Sequence, residues 1–182
     1  MRSNTVSNDR KKDIQEKDNG QSYDLITELV GVRRTAKVVK GGRIFRFSAT
    51  VVVGDGSSSV GIGIGHGMEV SVAIQKAQKR AKQNMTEVVI ADGKTIQHPV
   101  VAKYGATKVF MRPASVGTGI IAGGAMRQVF KAVGVENVLA KILGSSTAQN
   151  VAYATIKGLR EMYNKNLVAR KRGLEVNEEV GT

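Results

Sequence analysis

The chain has 182 residues, 41% apolar and 24% charged, with 28 Lys and Arg against 15 Asp and Glu, for a formal net charge of +13. Such a composition folds as one ordinary domain or two small ones, and its excess charge points to a polyanionic partner, because self-repulsion otherwise opposes compaction. No run approaches the roughly 18 apolar residues of a membrane span, no apolar stretch near the start reads as a secretory signal, and the lack of cysteine excludes disulfides, thiolate metal sites and a cysteine nucleophile.

Residues 1–21 mix charges of both signs with almost nothing apolar and read as a disordered arm. A first block follows over 22–90. Leu25, Ile26, Leu29 and Val30 form a short apolar lead-in, and strands are expected at 32–40 and 43–53. In the second of these, Phe45, Phe47, Ala49, Val51 and Val53 alternate with Arg46, Ser48 and Thr50, a period of two with one buried face. Gly54-Asp55-Gly56 supplies a turn into a third strand at 59–64. There Gly61, Gly63 and Gly65 leave one face without side chains, so a helix, another backbone or a ligand is expected to approach closely. A helix over 69–85 carries Val70, Ala73, Ile74, Ala77 and Ala81 as its apolar stripe, with Lys76, Lys79 and Arg80 opposite.

Residues 86–98 read as a connector with a possible edge strand around Gln97-His98-Pro99. The second block, 97–163, reads as strands at 100–104 and 107–112, a glycine-rich loop, a helix over 123–133, a strand at 137–143 and a helix over 147–162. Gly134 occupies a helix C-cap position, and Ser146 or Thr147 an N-cap position. The remainder, 164–182 with Arg170-Lys171-Arg172, reads as an exposed basic tail. The fold class expected is α+β in two small domains.

Several stretches imitate catalytic motifs. Gly93-Lys94-Thr95 resembles the end of a P-loop, but Val88 stands where the first glycine is required. Gly117-Thr118-Gly119-Ile120-Ile121-Ala122 matches a dinucleotide fingerprint with Glu136 as a ribose-binding acid, yet Pro113, Ala114 and Ser115 separate it from the preceding strand. His66 and His98 have no i+4 partner; His66 could meet a phosphate, and His98 before Pro99 reads as structural. No metal site, cofactor site or catalytic constellation emerges, and the chain is not expected to be an enzyme.

The stretch 31–47 carries six Lys or Arg and no acid, broken by Gly41-Gly42. Solvated surface is one reading of such a run. A second basic cluster on the helix of the same block favours phosphate backbone instead. Candidate RNA-binding residues are Arg33, Arg34, Lys37, Lys40, Gly41, Gly42, Arg43, Arg46, Lys76, Lys79 and Arg80. With aromatics at 4% and Phe45 and Phe47 assigned to the core side, structured RNA read by shape and phosphate is the favoured target. A free-standing double-stranded-RNA-binding module is the competing reading.

Two long stretches, VKGGRIFRFSATVVVGDGSSSVGIGIGHGMEVSVAIQKA and KVFMRPASVGTGIIAGGAMRQVF, together with QHPV and GVENVLAKILGSS, resemble the bacterial family of small-subunit ribosomal protein five. The resemblance covers about Glu28 to Met162 in the expected order. It implies a double-stranded-RNA-binding-like first domain, a three-stranded antiparallel sheet plus a helix, followed by an α+β domain of the kind named after the family's own second half. It also implies a cytoplasmic, non-enzymatic constituent of the small subunit, touching ribosomal RNA, ribosomal proteins four and eight, and messenger RNA where it enters, with influence on subunit assembly and decoding accuracy. By the same resemblance Thr35, Ala36, Lys37, Lys40, Gly41, Gly42 and Arg43 form a loop near the spectinomycin site, and Gly119 and Arg127 belong to the interface with protein four. Where the family commonly shows Tyr and then Lys after the glycine-alternating strand, this chain has Ile64 and His66.

Overall fold

The computed structural model describes residues 25–91, 94–164, 168–169 and 171–173; the arm expected at 1–21 and much of the tail expected at 164–182 lie outside them. The first half contains β1 (Ile26–Val39), β2 (Gly42–Gly54), β3 (Ser59–Gly67), helix α1 (Val70–Gln83) and β4 (Met85–Glu87). The sheet is antiparallel in the order β1-β2-β3-β4. The lead-in and first expected strand are one continuous strand, interrupted only by a register shift between Leu29 and Gly31. β4 departs from the expected connector: three residues are too few to show a period, and only their pairing with Ser59–Gly61 makes them a strand.

The alternating glycines of β3 meet a helix. A Cβ on Gly61, Gly63 or Gly65 would collide with the backbone carbonyl oxygens of Ala81, Ala77 and Ala73 respectively. Every second strand residue therefore opposes one turn of α1, and the small residues on both sides bring the two backbones together. Ala49, Val51 and Val53 of β2 complete this layer, fully buried with the three alanines.

The alternation in β2 reads as one buried face, and the structure differs in burying the opposite face as well. Val52, Val60 and Ile62 are buried in a second cluster with Met126, Val129, Phe130 and Val133 of the chain's second half. The run Val51-Val52-Val53 is thus apolar because its strand is covered on both sides.

The second half comprises β5 (Val100–Tyr104), β6 (Thr107–Pro113), β7 (Ile120–Ile121), α2 (Gly124–Val133), β8 (Val138–Gly144) and α3 (Ala148–Arg160). Its sheet runs β5-β6-β8-β7, antiparallel except for the short parallel pair β7–β8. No strand forms at 97–99. His98 instead accepts the Tyr163 backbone N–H at Nε2 (3.3 Å), leaving Nδ1 to donate to the Pro99 carbonyl at 3.0 Å. Gly134 ends α2 with φ of 89°, and Thr147 is the N-cap of α3 without a side-chain capping bond. Close backbone packing joins the halves: Gly56 N–H donates to the Ala132 carbonyl at 3.1 Å, and a side chain at Gly134 would strike the Gly56 carbonyl. The architecture is α+β, two small sheet-plus-helix units sharing one apolar cluster.

Candidate nucleic-acid interface

β3 pairs with β2 only as far as Phe47–Gly67. Beyond that rung β1 and β2 continue alone from Arg34–Phe47 to Val39–Gly42, a two-stranded ribbon reaching roughly 15–20 Å past the sheet at about 3.3 Å per residue. Every residue from Val32 to Arg46 is exposed. The tip turns through Lys40 and Gly41, and Gly42 has φ of 130°, a conformation that suits glycine. Nothing lies within 4 Å of a Cβ built on Gly41 or Gly42, so the tip backbone is open to close approach.

The pairing register sorts the cations onto two faces. Arg33, Lys37 and Arg46 share one side of the ribbon with Thr35 and Ile44, whereas Arg34 and Arg43 share the other with Ala36, Val38 and Phe45. The ribbon therefore presents positive charge on both faces. Thr35 stiffens it by donating its hydroxyl to the Arg46 carbonyl at 3.3 Å.

Phe45 corrects the expectation that it faces the core. It keeps the side shared with Phe47 and Ala49 but lies beyond the third strand and is 44% exposed. The Arg34 guanidinium covers its ring at 3.8 Å from the centroid. This cation–π contact ties Arg34 to the ribbon's surface.

At the root of the ribbon, Arg46, His66, Gly67, Met68 and Lys76 line a cleft of about 210 Å³. The fold thus brings Arg46 of the hairpin to Lys76 of α1, with His66 beside them, which no spacing in the sequence discloses. Lys79 stays in solvent. Arg80, also exposed, donates to the Ile64 carbonyl at 2.6 Å, capping the stretch of β3 edge that β4 does not reach. The tip cations Lys40 and Arg43 stand apart from the helix cluster.

The 114–124 loop has a different character. Asn137, 5% exposed, accepts the backbone N–H groups of Gly117 and Gly119 on one carboxamide oxygen at 3.1 and 3.2 Å. Gly117 and Gly119 have φ of 91° and 76°. The amides that would cradle a pyrophosphate are therefore engaged within the loop, and Glu136 pairs with Lys94 rather than standing ready for a ribose. Lys94 itself sits in a turn whose carbonyl accepts the Glu136 and Asn137 N–H groups, not in a phosphate loop. Asn137 escaped the sequence reading; its one signal is a polar residue opening an apolar strand. Arg127 is exposed and, with Ile121, Gly123, Lys141 and Ile142, borders a groove of about 380 Å³, while Gly119 lies one residue before β7 and outside that lining. No group of three metal-ligating side chains occurs among the described residues.

Asp55 anchors the β2–β3 turn. Its Oδ1 accepts the N–H groups of Ser57, Ser58 and Ser59 at 3.0, 2.9 and 2.8 Å. Partial burial pushes its carboxyl upward, but the bonds from Ser58, Ser59 and Ser57 outweigh that and bring it down to about 2.

Comparison with known proteins adds family context to this geometry. A family model described as ribosomal protein S5, N-terminal domain, matches residues 25–89, and one described as ribosomal protein S5, C-terminal domain, matches residues 102–172. The small ribosomal subunit protein uS5 of Nitrosococcus oceani is 59% identical over 157 residues, covering 86% of this chain and 92% of that protein. Its counterparts in Acinetobacter baylyi and Chromohalobacter salexigens are 56% and 58% identical, over 88% and 87% of this chain and 97% and 95% of their own lengths.

Proposed function

The chain belongs to the ribosomal protein S5 family, a structural component of the small ribosomal subunit, and from that premise we propose that it works by holding small-subunit ribosomal RNA on the β1–β2 ribbon and the basic side of α1. The observation that carries this reading is the ribbon itself, exposed from residue 32 to 46, cationic on both faces and projecting past the third strand. Lys37, Lys40 and Arg43 neutralise phosphates near the tip, while Gly41 and Gly42 let the RNA backbone come close. Arg33, Arg34 and Arg46 hold the stem, and Lys76, Lys79 and the remaining donors of Arg80 form a second contact. The tip, with Thr35 and Ala36, lies near the spectinomycin site of the assembled subunit.

The other assignments join this proposal. Residues 22–90 are the RNA-binding domain, and residues 97–163 dock protein neighbours. Arg127 and the loop held at Gly119 meet ribosomal protein four and so influence decoding accuracy, protein eight is a further neighbour, and messenger RNA passes nearby as it enters. The protein acts in the cytoplasm, within the ribosome, through positioning rather than enzymatic chemistry.

The test is RNA affinity as a function of salt. Lys40→Glu combined with Arg43→Glu is expected to weaken binding of the full chain to a small-subunit RNA fragment. Removing one phosphate interaction flattens the log–log salt slope by about 0.7–0.9. An unchanged slope would mean that the ribbon is merely solvated. Retained binding to any double-stranded RNA, without incorporation into subunits, would favour the free-standing module.

A further inference from the structure

The register of the first sheet gathers cations where its covering by the second half ends. Val52, Val60 and Ile62 are buried on the face opposite α1. Further out on that same face, Arg33, Ser48 and His66 form one cross-strand row over β1, β2 and β3. Arg46 is the diagonal neighbour of His66, a separation that long side chains bridge. Arg33, Arg46 and His66 are all exposed, so this row is where the apolar face gives way to a charged one.

Helix α1 brings a further cation to His66. It runs antiparallel to β3, with Ala81, Ala77 and Ala73 against Gly61, Gly63 and Gly65. Arg80 reaches the Ile64 carbonyl on the free edge of β3. Lys76, one helical turn earlier, comes level with His66, two strand residues later, and both line the cleft of about 210 Å³ with Arg46. Since the Ile64 carbonyl faces the free edge, alternation points the His66 backbone N–H the same way. No carboxylate lines the cleft. Glu69, the N-cap of α1, accepts the Ser71 hydroxyl at 3.5 Å, and Glu28, on the face of β1 that carries Arg33, pairs with Lys131 at 4.0 Å. The charged groups around the imidazole are therefore Arg33, Arg46 and Lys76, with Arg80 held at Ile64.

We propose that this cleft seats a single RNA phosphodiester group, and that His66 makes the hold on RNA tighten as pH falls from about 8 to about 5.5; the inference rests on RNA being held by the ribbon and α1. Arg46, Lys76 and the His66 N–H supply donors at every pH in that range. The imidazole is the one group of the cleft whose charge changes within it. A phosphodiester stays negative throughout, so a bound phosphate oxygen favours the charged imidazole. Binding and proton uptake then promote each other by the same factor. The sign follows: RNA binding takes up protons, and affinity rises as pH falls. A cleft holding Lys or Arg in place of His66 would grip equally at both pH values; this one is graded.

The experiment measures binding of the full chain to a small-subunit RNA fragment over a series of salt concentrations, at about pH 5.5 and about pH 8. The parent is expected to bind about tenfold tighter at the lower pH, the factor that accompanies a linkage of one pH unit. Its log–log salt slope should steepen there by about 0.7–0.9, one more phosphate neutralised. His66→Asn, which keeps a polar side chain that does not titrate, should hold the parent's weaker affinity at both pH values. His66→Lys should bind at the higher pH as tightly as the parent does at the lower. Calorimetry in two buffers of different ionisation heat should show proton uptake by the parent and none by His66→Asn. An equal pH effect in parent and His66→Asn, or His66→Lys no tighter than the parent at the higher pH, would overturn the proposal alone. The ribbon would still hold RNA if Lys40→Glu with Arg43→Glu weakened binding in the same assay. Failure of the parent to bind the fragment at either pH would overturn the RNA-holding reading and the proposal with it.

Discussion

Gly63→Ala tests the seating of α1 on the sheet. The added methyl would lie well inside van der Waals contact distance of the Ala77 carbonyl oxygen and the Ala81 nitrogen, and 3.0 Å from the Ala81 Cα. These are backbone atoms in mid-helix, so neither can swing aside. Relief requires α1 to retreat by about 1 Å, a gap that forfeits a quarter to a half of each dispersion contact it spans. The loss is shared by Ala73, Ala77 and Ala81 against Ala49, Val51 and Val53, because the helix moves as one body. Overpacking of this kind costs about 3 kcal/mol, and replacing glycine returns about 0.4–1 kcal/mol through the unfolded chain. The net loss of roughly 2–3 kcal/mol corresponds to a fall in Tm of about 5–10 °C for a chain of this size. Urea and thermal denaturation followed by circular dichroism measure it. Gly41→Ala is the control: with nothing within 4 Å of its Cβ, stability should stay within about 0.5 kcal/mol of the parent. If Gly63→Ala behaved like Gly41→Ala, the close backbone approach of β3 and α1 would be refuted.

Two further outcomes follow from side chains that tie down loops. Asp55→Ala should destabilise the fold by about 1 kcal/mol at neutral pH, a value discounted for solvent screening of a partly exposed carboxylate. Because the folded carboxyl titrates near 2, below its ordinary 3.8, its stabilisation is complete above about pH 4 and is lost as pH falls toward 2. Denaturant melts of parent and variant should therefore converge over that window, and a gap constant down to pH 2 would contradict the hydrogen-bonding account. Asn137→Ala removes the shared acceptor of Gly117 and Gly119, with an expected cost of about 1–2 kcal/mol. Amide exchange at those two glycines should accelerate, and unchanged protection at Gly119 would refute the anchoring role.

Much of this organisation was legible in the chain itself. Charge sorting at 31–47, the period of two in β2, the apolar stripe of α1 and the C-cap at Gly134 all express rules that act over a few residues. The alternation of Gly61, Gly63 and Gly65 announced a close approach, although three occupants remained possible. β4 and β7 are too short to carry a period and exist only through their pairing partners. Phe45 follows the alternation of its strand, yet the helix does not reach that far, so it joins Arg34 at the surface.

The α+β class, the basic hairpin with its glycine tip and the family resemblance are readable along the chain, because propensity, periodicity and charge are local quantities. Tertiary structure alone decided that α1 fills the glycine face, that the opposite face of the same sheet is covered by the second half, and that Arg46, His66 and Lys76 share a cleft. It also decided that the Gly117 and Gly119 amides serve the loop rather than a ligand. Each of these depends on which distant surfaces exclude water from one another, and pairings between residues far apart in the chain leave no period along it.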